Sequence, residues 1–243
     1  MAMEKVVFKQ PSKVYLYLEK EPIMPIQRYR TKYEILPEGR LAAWRNIPPA
    51  IVGDCMNRSN VMSAGIKPIK EGSVLVGQAR TVQVMVGDNS ALHVATKLVN
   101  PGEILVVDAG GFLDTAVWGG IMTRAAISRS IAGLVVDGTI RDIAEIRELG
   151  FVCYARGANP TGPHKGFGGI IDGMISCGGC PVNSGDLIIG DDDGIAVVPL
   201  SREAELLEAS KEKLIQEEQT NAKTARGVLP ADQMGLDEPD WIG

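Results

Sequence analysis

The sequence predicts an α/β domain organised around a parallel sheet, and three observations carry that expectation. Between residues 103 and 154, short apolar runs alternate with helix-like stretches. Glycine or proline marks most of the boundaries between them. The chain has 243 residues and is 45% hydrophobic, enough for one sizeable core with tails.

Residues 1–50 are punctuated by Pro11, Pro22, Pro25, Pro37, Pro48 and Pro49, show neither helical nor strand period, and read as an arm packed on a neighbouring molecule. A core domain is expected over residues 51–200 and a C-terminal helix with a tail over 201–243. A helix beginning near Val52 and running to Val61 frames the core, and the β-branched stretch from Ser73 to Met85 is one long or bent strand. From Asn89 to Leu98 the spacing of Leu92, Ala95 and Leu98 gives a short helix, stopped by Pro101-Gly102.

Strands follow at Glu103–Asp108, Ala132–Asp137 and Phe151–Tyr154, separated by helices over Gly119–Ile131 and Arg141–Leu149, the second closed by Gly150. This is a βαβαβ unit, so its strands should be parallel with right-handed crossovers. The glycine-dense stretch from Gly157 to Asn183 should hold loops and short strands, and Asp186 to Val198 reads as a hairpin turning at Asp193-Gly194. Ser201 is the expected cap of a charged helix reaching about Thr220, whose apolar stripe is Leu206, Leu207, Leu214 and Ile215. An irregular tail follows Arg226.

Composition excludes several functions. With 25 basic and 30 acidic residues the net charge is −5, and no block of like charge suits a nucleic-acid partner. No apolar run approaches the roughly 18 residues of a membrane span, and charge interrupts the N-terminus too early for a secretory signal, so a cytoplasmic protein with no membrane partner is expected. Four cysteines are too few for a disulfide scaffold; Cys177-Gly-Gly-Cys180 is read as a glycine turn, the alternative being a metal or redox pair. The triplet Asp191-Asp192-Asp193 is likewise read as a turn, since a hydrophobic strand replaces the remainder of a calcium loop.

Chemistry is expected at the carboxyl ends of the parallel strands. At one, Gly119 and Gly120 open a helix, so the N–H groups of Gly119, Gly120, Ile121 and Met122 can face an anion such as a carboxylate; a plain tight helix entry with Trp118 in the core is the alternative. At the next, Arg141 and Asp142 stand together at a helix start, an unfavourable place for a guanidinium unless an anion is bound there. Arg141 offers a planar fork to a carboxylate or enolate, and Asp142 a hard oxygen to Mg²⁺. Glu145, three residues on, can turn toward the same metal or its waters.

Gly120, twenty residues, Arg141-Asp142, two residues and Glu145 form G-x20-R-D-x2-E, which resembles the signature of the class II pyruvate aldolases acting on 4-hydroxy-4-methyl-2-oxoglutarate and 4-carboxy-4-hydroxy-2-oxoadipate, a superfamily shared with the ribonuclease E activity regulators. The resemblance spans roughly Ile51 to Pro199, including Val136–Asp142, Pro181–Asp186 and Gly190–Pro199. It implies a layered β/β/α fold of the phosphohistidine-swivelling-domain type, assembled as trimers or hexamers with sites between subunits. It also implies that Arg141 and the backbone of residues 119–122 hold pyruvate, that Mg²⁺ or Mn²⁺ binds at Asp142 largely through waters, and that an acid at Glu145 goes with activity. A neighbour's glutamate would complete the site, with Glu217 and Glu218 as candidates.

These parts suit retro-aldol cleavage of a 4-hydroxy-2-oxo di- or tricarboxylate to pyruvate and a second 2-oxo acid, in which charge develops on the C2 oxygen. Oxaloacetate decarboxylation would pass through the same enolate. A metal-bound water or hydroxide is the expected base. A Schiff-base lysine is the rival, yet Lys97 and Lys165, the only lysines between Lys70 and Lys211, sit at no expected strand end. His93 and His164 are read as structural or exposed, with a base or ligand role as the alternative. A non-catalytic regulator binding a ribonuclease, and an acid-binding protein without turnover, are the competing functions.

Overall fold

In the computed structural model, which describes residues 25–242, the chain runs through β1 (Ile26–Arg28), α1 (Glu38–Trp44), α2 (Pro49–Cys55), β2 (Lys67–Pro68), β3 (Leu75–Val84), α3 (Ser90–Leu98), β4 (Ile104–Asp108), β5 (Ala116–Trp118) and α4 (Gly120–Ser128). It continues through β6 (Gly133–Ile140), α5 (Ile143–Glu148), β7 (Cys153–Ala158), β8 (Gly169–Ile171), β9 (Ile175–Cys177), β10 (Cys180–Val182), β11 (Leu187–Asp191), β12 (Gly194–Val198), α6 (Glu203–Thr224) and α7 (Pro230–Met234). The main sheet has the order β1-β8-β3-β4-β6-β7-β2. Its centre, β3-β4-β6-β7, is parallel, as the βαβαβ pattern requires.

Alternation along the central strands explains the layers. Leu105 and Val107 of β4, with Leu134 and Val136 of β6, point into a core under α3, α4 and α5. Ile104, Val106 and Val135 point the other way, onto Cys177, Cys180 and Val182 of the β9–β10 hairpin and onto Ile188, Ile195 and Val197 of β11–β12. Strands buried on both faces read as continuous apolar runs, which is why these were visible in sequence. The outer face of β11–β12 carries a third core, where Leu187, Ile189 and Val198 meet Trp44, Ile51, Val52, Leu206 and Leu207 from α1, α2 and α6. The layered β/β/α expectation therefore holds, with a further helical layer added.

Several local expectations are corrected. The first core helix ends at Cys55, because Asn57, Arg58 and Asn60 adopt left-handed backbone that a helix cannot accommodate. The described part of the arm packs on its own chain: β1 pairs with β8, and α1 buries Trp44. Ser201 lies inside a 3₁₀ turn, Leu200–Arg202, and does not cap α6, which runs on to Thr224. Of the predicted stripe, Leu206 and Leu207 are buried and Leu214 is partly buried against the same core, while Ile215 is 55% exposed, so packing stops about halfway along α6. The 187–198 hairpin turns through Asp192 and Asp193, with Gly194 opening the second strand. Cys177 and Cys180 stand opposite each other across Gly178-Gly179, both at positive φ, as a type I′ turn demands. Among the described residues no helix is long and apolar enough to cross a membrane.

Candidate functional site

A cleft of about 130 Å³ opens where β5 enters α4 and β6 enters α5. Gly119, Ile121, Met122, Arg141 and Asp142 line it, so the two strand ends singled out in sequence do converge. The Arg141 amide donates to the Trp118 carbonyl at 2.9 Å, joining the two loops through the backbone. Asp142 itself is left-handed (φ 60°), a conformation aspartate tolerates better than most residues, and it turns its carboxylate back onto α4. There Oδ2 accepts the Gly120 N–H at 2.9 Å and lies 3.7 Å from Arg141 Nε.

Glycine is required at this junction by close approach. A Cβ on Gly119 would stand 2.6 Å from Asp142 Oδ2 and 3.0 Å from Arg141 Cγ, and one on Gly162 would stand 2.7 Å from Arg141 Nη1. The guanidinium is thus threaded between two positions with no side chain. Because Gly120 N–H is taken by Asp142, the amides of Ile121 and Met122 are the first-turn donors with no acceptor among the described residues. The tight helix entry is also present: Trp118 is buried, donates Nε1–H to Thr123 Oγ1 at 2.8 Å and stacks on Phe151.

Glu145 is placed differently from Asp142. Its carboxylate lies over Gly120, accepts from Arg124 Nε at 2.9 Å and does not line the cleft. Glu217 and Glu218 lie on the exposed half of α6 and do not line the cleft either.

Three polar or charged cleft residues were not assigned to the site from sequence: Asn89, His93 and Lys165. Asn89, only 4% exposed, donates Nδ2–H to the Val117 carbonyl at 3.0 Å and contacts Met122 Sδ at 3.4 Å, while its Oδ1 is buried with no donor. A buried, unpaired amide oxygen costs about 1 to 3 kcal/mol unless something fills it, and here it belongs to a cleft wall. A faint signal existed: Asp88-Asn89-Ser90 offers three capping residues to one helix. Asp88 Oδ1 takes the Ser90 N–H at 2.7 Å, leaving Asn89 surplus. His93 sits one turn further along α3; burial first, then Lys165 and Lys97, lower its pKa against the opposing pull of Asp88. Lys165 comes from the glycine-rich loop after β7, beside Pro163.

The arrangement is a polarised groove: Arg141, Lys165 and two free amides for an anion, with one carboxylate among them. Among the described residues no cluster of three or more His, Cys, Asp or Glu side chains could enclose a metal. A hard divalent ion that keeps most of its waters needs only one or two carboxylates, and the half-exposed Asp142, anchored through Oδ2 with Oδ1 unengaged, meets that requirement.

Comparison with known proteins identifies the family and the fold. The family described as RraA-like (Aldolase/RraA) matches residues 49–197. A Halalkalibacterium halodurans protein, provisionally named a 4-hydroxy-4-methyl-2-oxoglutarate aldolase, is 39% identical over 189 residues, 78% of this chain and 90% of that one. The 4-hydroxy-4-methyl-2-oxoglutarate aldolase of Thermus thermophilus is 34% identical over 51% of this chain and 74% of its own. Among solved structures, Streptomyces coelicolor RraAS2, described as an unusual member of the RNase ES inhibitor RraA protein family, superposes with a TM-score of 0.70 at 28% identity, covering 77% of this chain and 98% of that one.

Proposed function

We propose, from the premise that this chain belongs to the RraA-like (Aldolase/RraA) family, that it is a carbon–carbon lyase cleaving a 4-hydroxy-2-oxo di- or tricarboxylate to pyruvate and a second 2-oxo acid. The observation that carries this reading is the junction at Gly119, where a guanidinium, a carboxylate and two unpaired helix amides share one cleft. The free amides of Ile121 and Met122 suit the C1 carboxylate, and Asn89 Oδ1, which can only accept, suits a hydroxyl group of the substrate. Arg141 suits the C2 oxygen, on which negative charge accumulates as the C3–C4 bond breaks. Such a preorganised partner contributes about 3 to 4 kcal/mol to the transition state. Lys165, on another part of the wall, suits the distal carboxylate.

As C3–C4 breaks, its electron pair moves into the enolate and the C4 hydroxyl loses its proton to water or to His93, whose lowered pKa keeps the imidazole neutral. The enolate then takes a proton at C3 to become pyruvate. Mg²⁺ or Mn²⁺ held at Asp142 would supply Lewis-acid polarisation of the 2-oxo acid. Oxaloacetate yields the same enolate by losing CO₂, so decarboxylation is an expected side activity. A trimer or hexamer, in which a neighbour's α6 brings Glu217 or Glu218 to the cleft, fits the exposed half of that helix.

The test is pyruvate release from 4-hydroxy-4-methyl-2-oxoglutarate, followed through lactate dehydrogenase, with and without EDTA. Metal-dependent turnover supports the lyase. The likeness to RraAS2 favours a second reading, a non-catalytic regulator; tight binding to a ribonuclease without turnover would establish it in place of the first.

A further inference from the structure

Residues 26–36 lie outside the family match, which begins at residue 49, yet they occupy a seat shaped for them. Tyr33 lies on Gly185, where a Cβ would come within 2.6 Å of its ring, and Tyr29 lies on Gly173. The Tyr33 hydroxyl donates to Glu103 Oε1 at 2.5 Å and accepts from Arg80 Nη2 at 2.9 Å. Arg80, itself buried, also grips Glu103 and Asp172. Arg28 Nε donates to Asp172 Oδ2 at 2.6 Å, and Thr31 Oγ1 to the Asp172 carbonyl at 2.7 Å. Gln78 closes the far end, accepting the Leu36 N–H and donating to the Glu34 carbonyl.

What this stretch holds is β8. Without β1, that three-residue strand would be a sheet edge held only by β3. Asp172, at its end, is buried and left-handed (φ 63°), a conformation that persists only when its surroundings fix it. At the other end, a Cβ on Gly169 would meet Ala91 of α3 at 2.7 Å and the Gln83 carbonyl at 2.5 Å. The chain just before Gly169 carries Pro163 and Lys165, and α3 carries His93 with Asn89 at its start. Two walls of the cleft therefore abut one short strand.

We propose that residues 26–36 are a strap that positions these walls, with Arg28 and Tyr33 as positioning residues acting through β8. The kinetic part of the test rests on the lyase reading; the exchange part does not. Full-length wild type, Arg28→Ala, Arg28→Lys and Tyr33→Phe are compared by amide hydrogen exchange and by pyruvate release. In Arg28→Ala and Tyr33→Phe, exchange over residues 159–168 and 88–96 should quicken at least about tenfold, while β4 and β6 stay within about twofold of wild type. KM should rise about fivefold or more with kcat nearly unchanged, and Arg28→Lys, which keeps a cation beside Asp172, should recover most of the loss. Unchanged exchange at the cleft walls in both folded variants overturns the strap, as does acceleration shared equally by β4 and β6. If wild type releases no pyruvate, the lyase reading falls and the exchange pattern alone decides the strap.

Discussion

Replacing Gly119 by alanine separates catalysis from folding at this site. The backbone there is extended (φ −165°), so alanine meets no conformational barrier. The new methyl would stand 2.6 Å from Asp142 Oδ2, whereas ordinary van der Waals contact begins near 3.4 Å, so the carboxylate must retreat by about 0.8 Å. Arg141 Nε, at 3.2 Å, is crowded as well. That displacement breaks the Gly120 N–H bond to Oδ2 and tilts guanidinium and carboxylate together. A shift approaching 1 Å in catalytic groups costs on the order of a hundredfold, or about 2.7 kcal/mol of transition-state stabilisation. Folding loses roughly 1 kcal/mol for a poorer helix start, a drop of about 2 to 4 °C in Tm. Steady-state pyruvate release and a thermal melt measure both. A Gly119→Ala variant that melts normally and keeps kcat/KM within about threefold of wild type would refute the reasoning.

Further substitutions probe the remaining parts. Asp142→Asn keeps a side chain that accepts left-handed backbone but removes the charge; turnover should fall about a hundredfold or more with the melt nearly unchanged, and EDTA on wild type should give the same loss. Arg141→Lys should lower kcat/KM by about 10- to 100-fold, since an ammonium cannot reproduce the planar fork; kinetics equal to wild type would remove the enolate role. Asn89→Leu deletes the buried, unpaired Oδ1 while leaving the Val117 carbonyl without its donor, so Tm should stay within a few degrees as pyruvate release drops at least about tenfold. His93 has a folded pKa below its ordinary value of 6.5, so the unfolded chain binds the proton more readily, and stability present above that pH is lost as pH falls through it. Denaturant midpoints from pH 7.5 to 5 should therefore fall less steeply in His93→Gln, and parallel curves would contradict the assignment.

Legibility in the sequence followed burial and locality. The strands at 104–108 and 133–140 were visible because both faces are covered, and the Arg141-Asp142 pair because strand ends collect ligands in such sheets. The pairing of Ile26 with Gly169 had no local signature, since a three-residue strand carries too few alternations to read. The same holds for the left-handed run at Asn57, Arg58 and Asn60, which a hydrophobic period cannot reveal. Within the cleft, Asn89, His93 and Lys165 come together only because α3 and the loop after β7 are folded over α4. Helix α5 begins at Ile143 and not at Arg141, and the i+3 spacing of Glu145 from Asp142 could not show that Arg124 would hold its carboxylate.

The thiols at 153, 177 and 180 are sealed in the core, and burial raises the pKa of all three, that of Cys180 to about 11, whereas Cys55 at the end of α2 is partly exposed. A maleimide dye added to the intact molecule consequently finds one address. Uptake of the remaining three equivalents then runs as a clock on the opening of the protein's interior, read from the chain's own sulfur atoms with no engineered label.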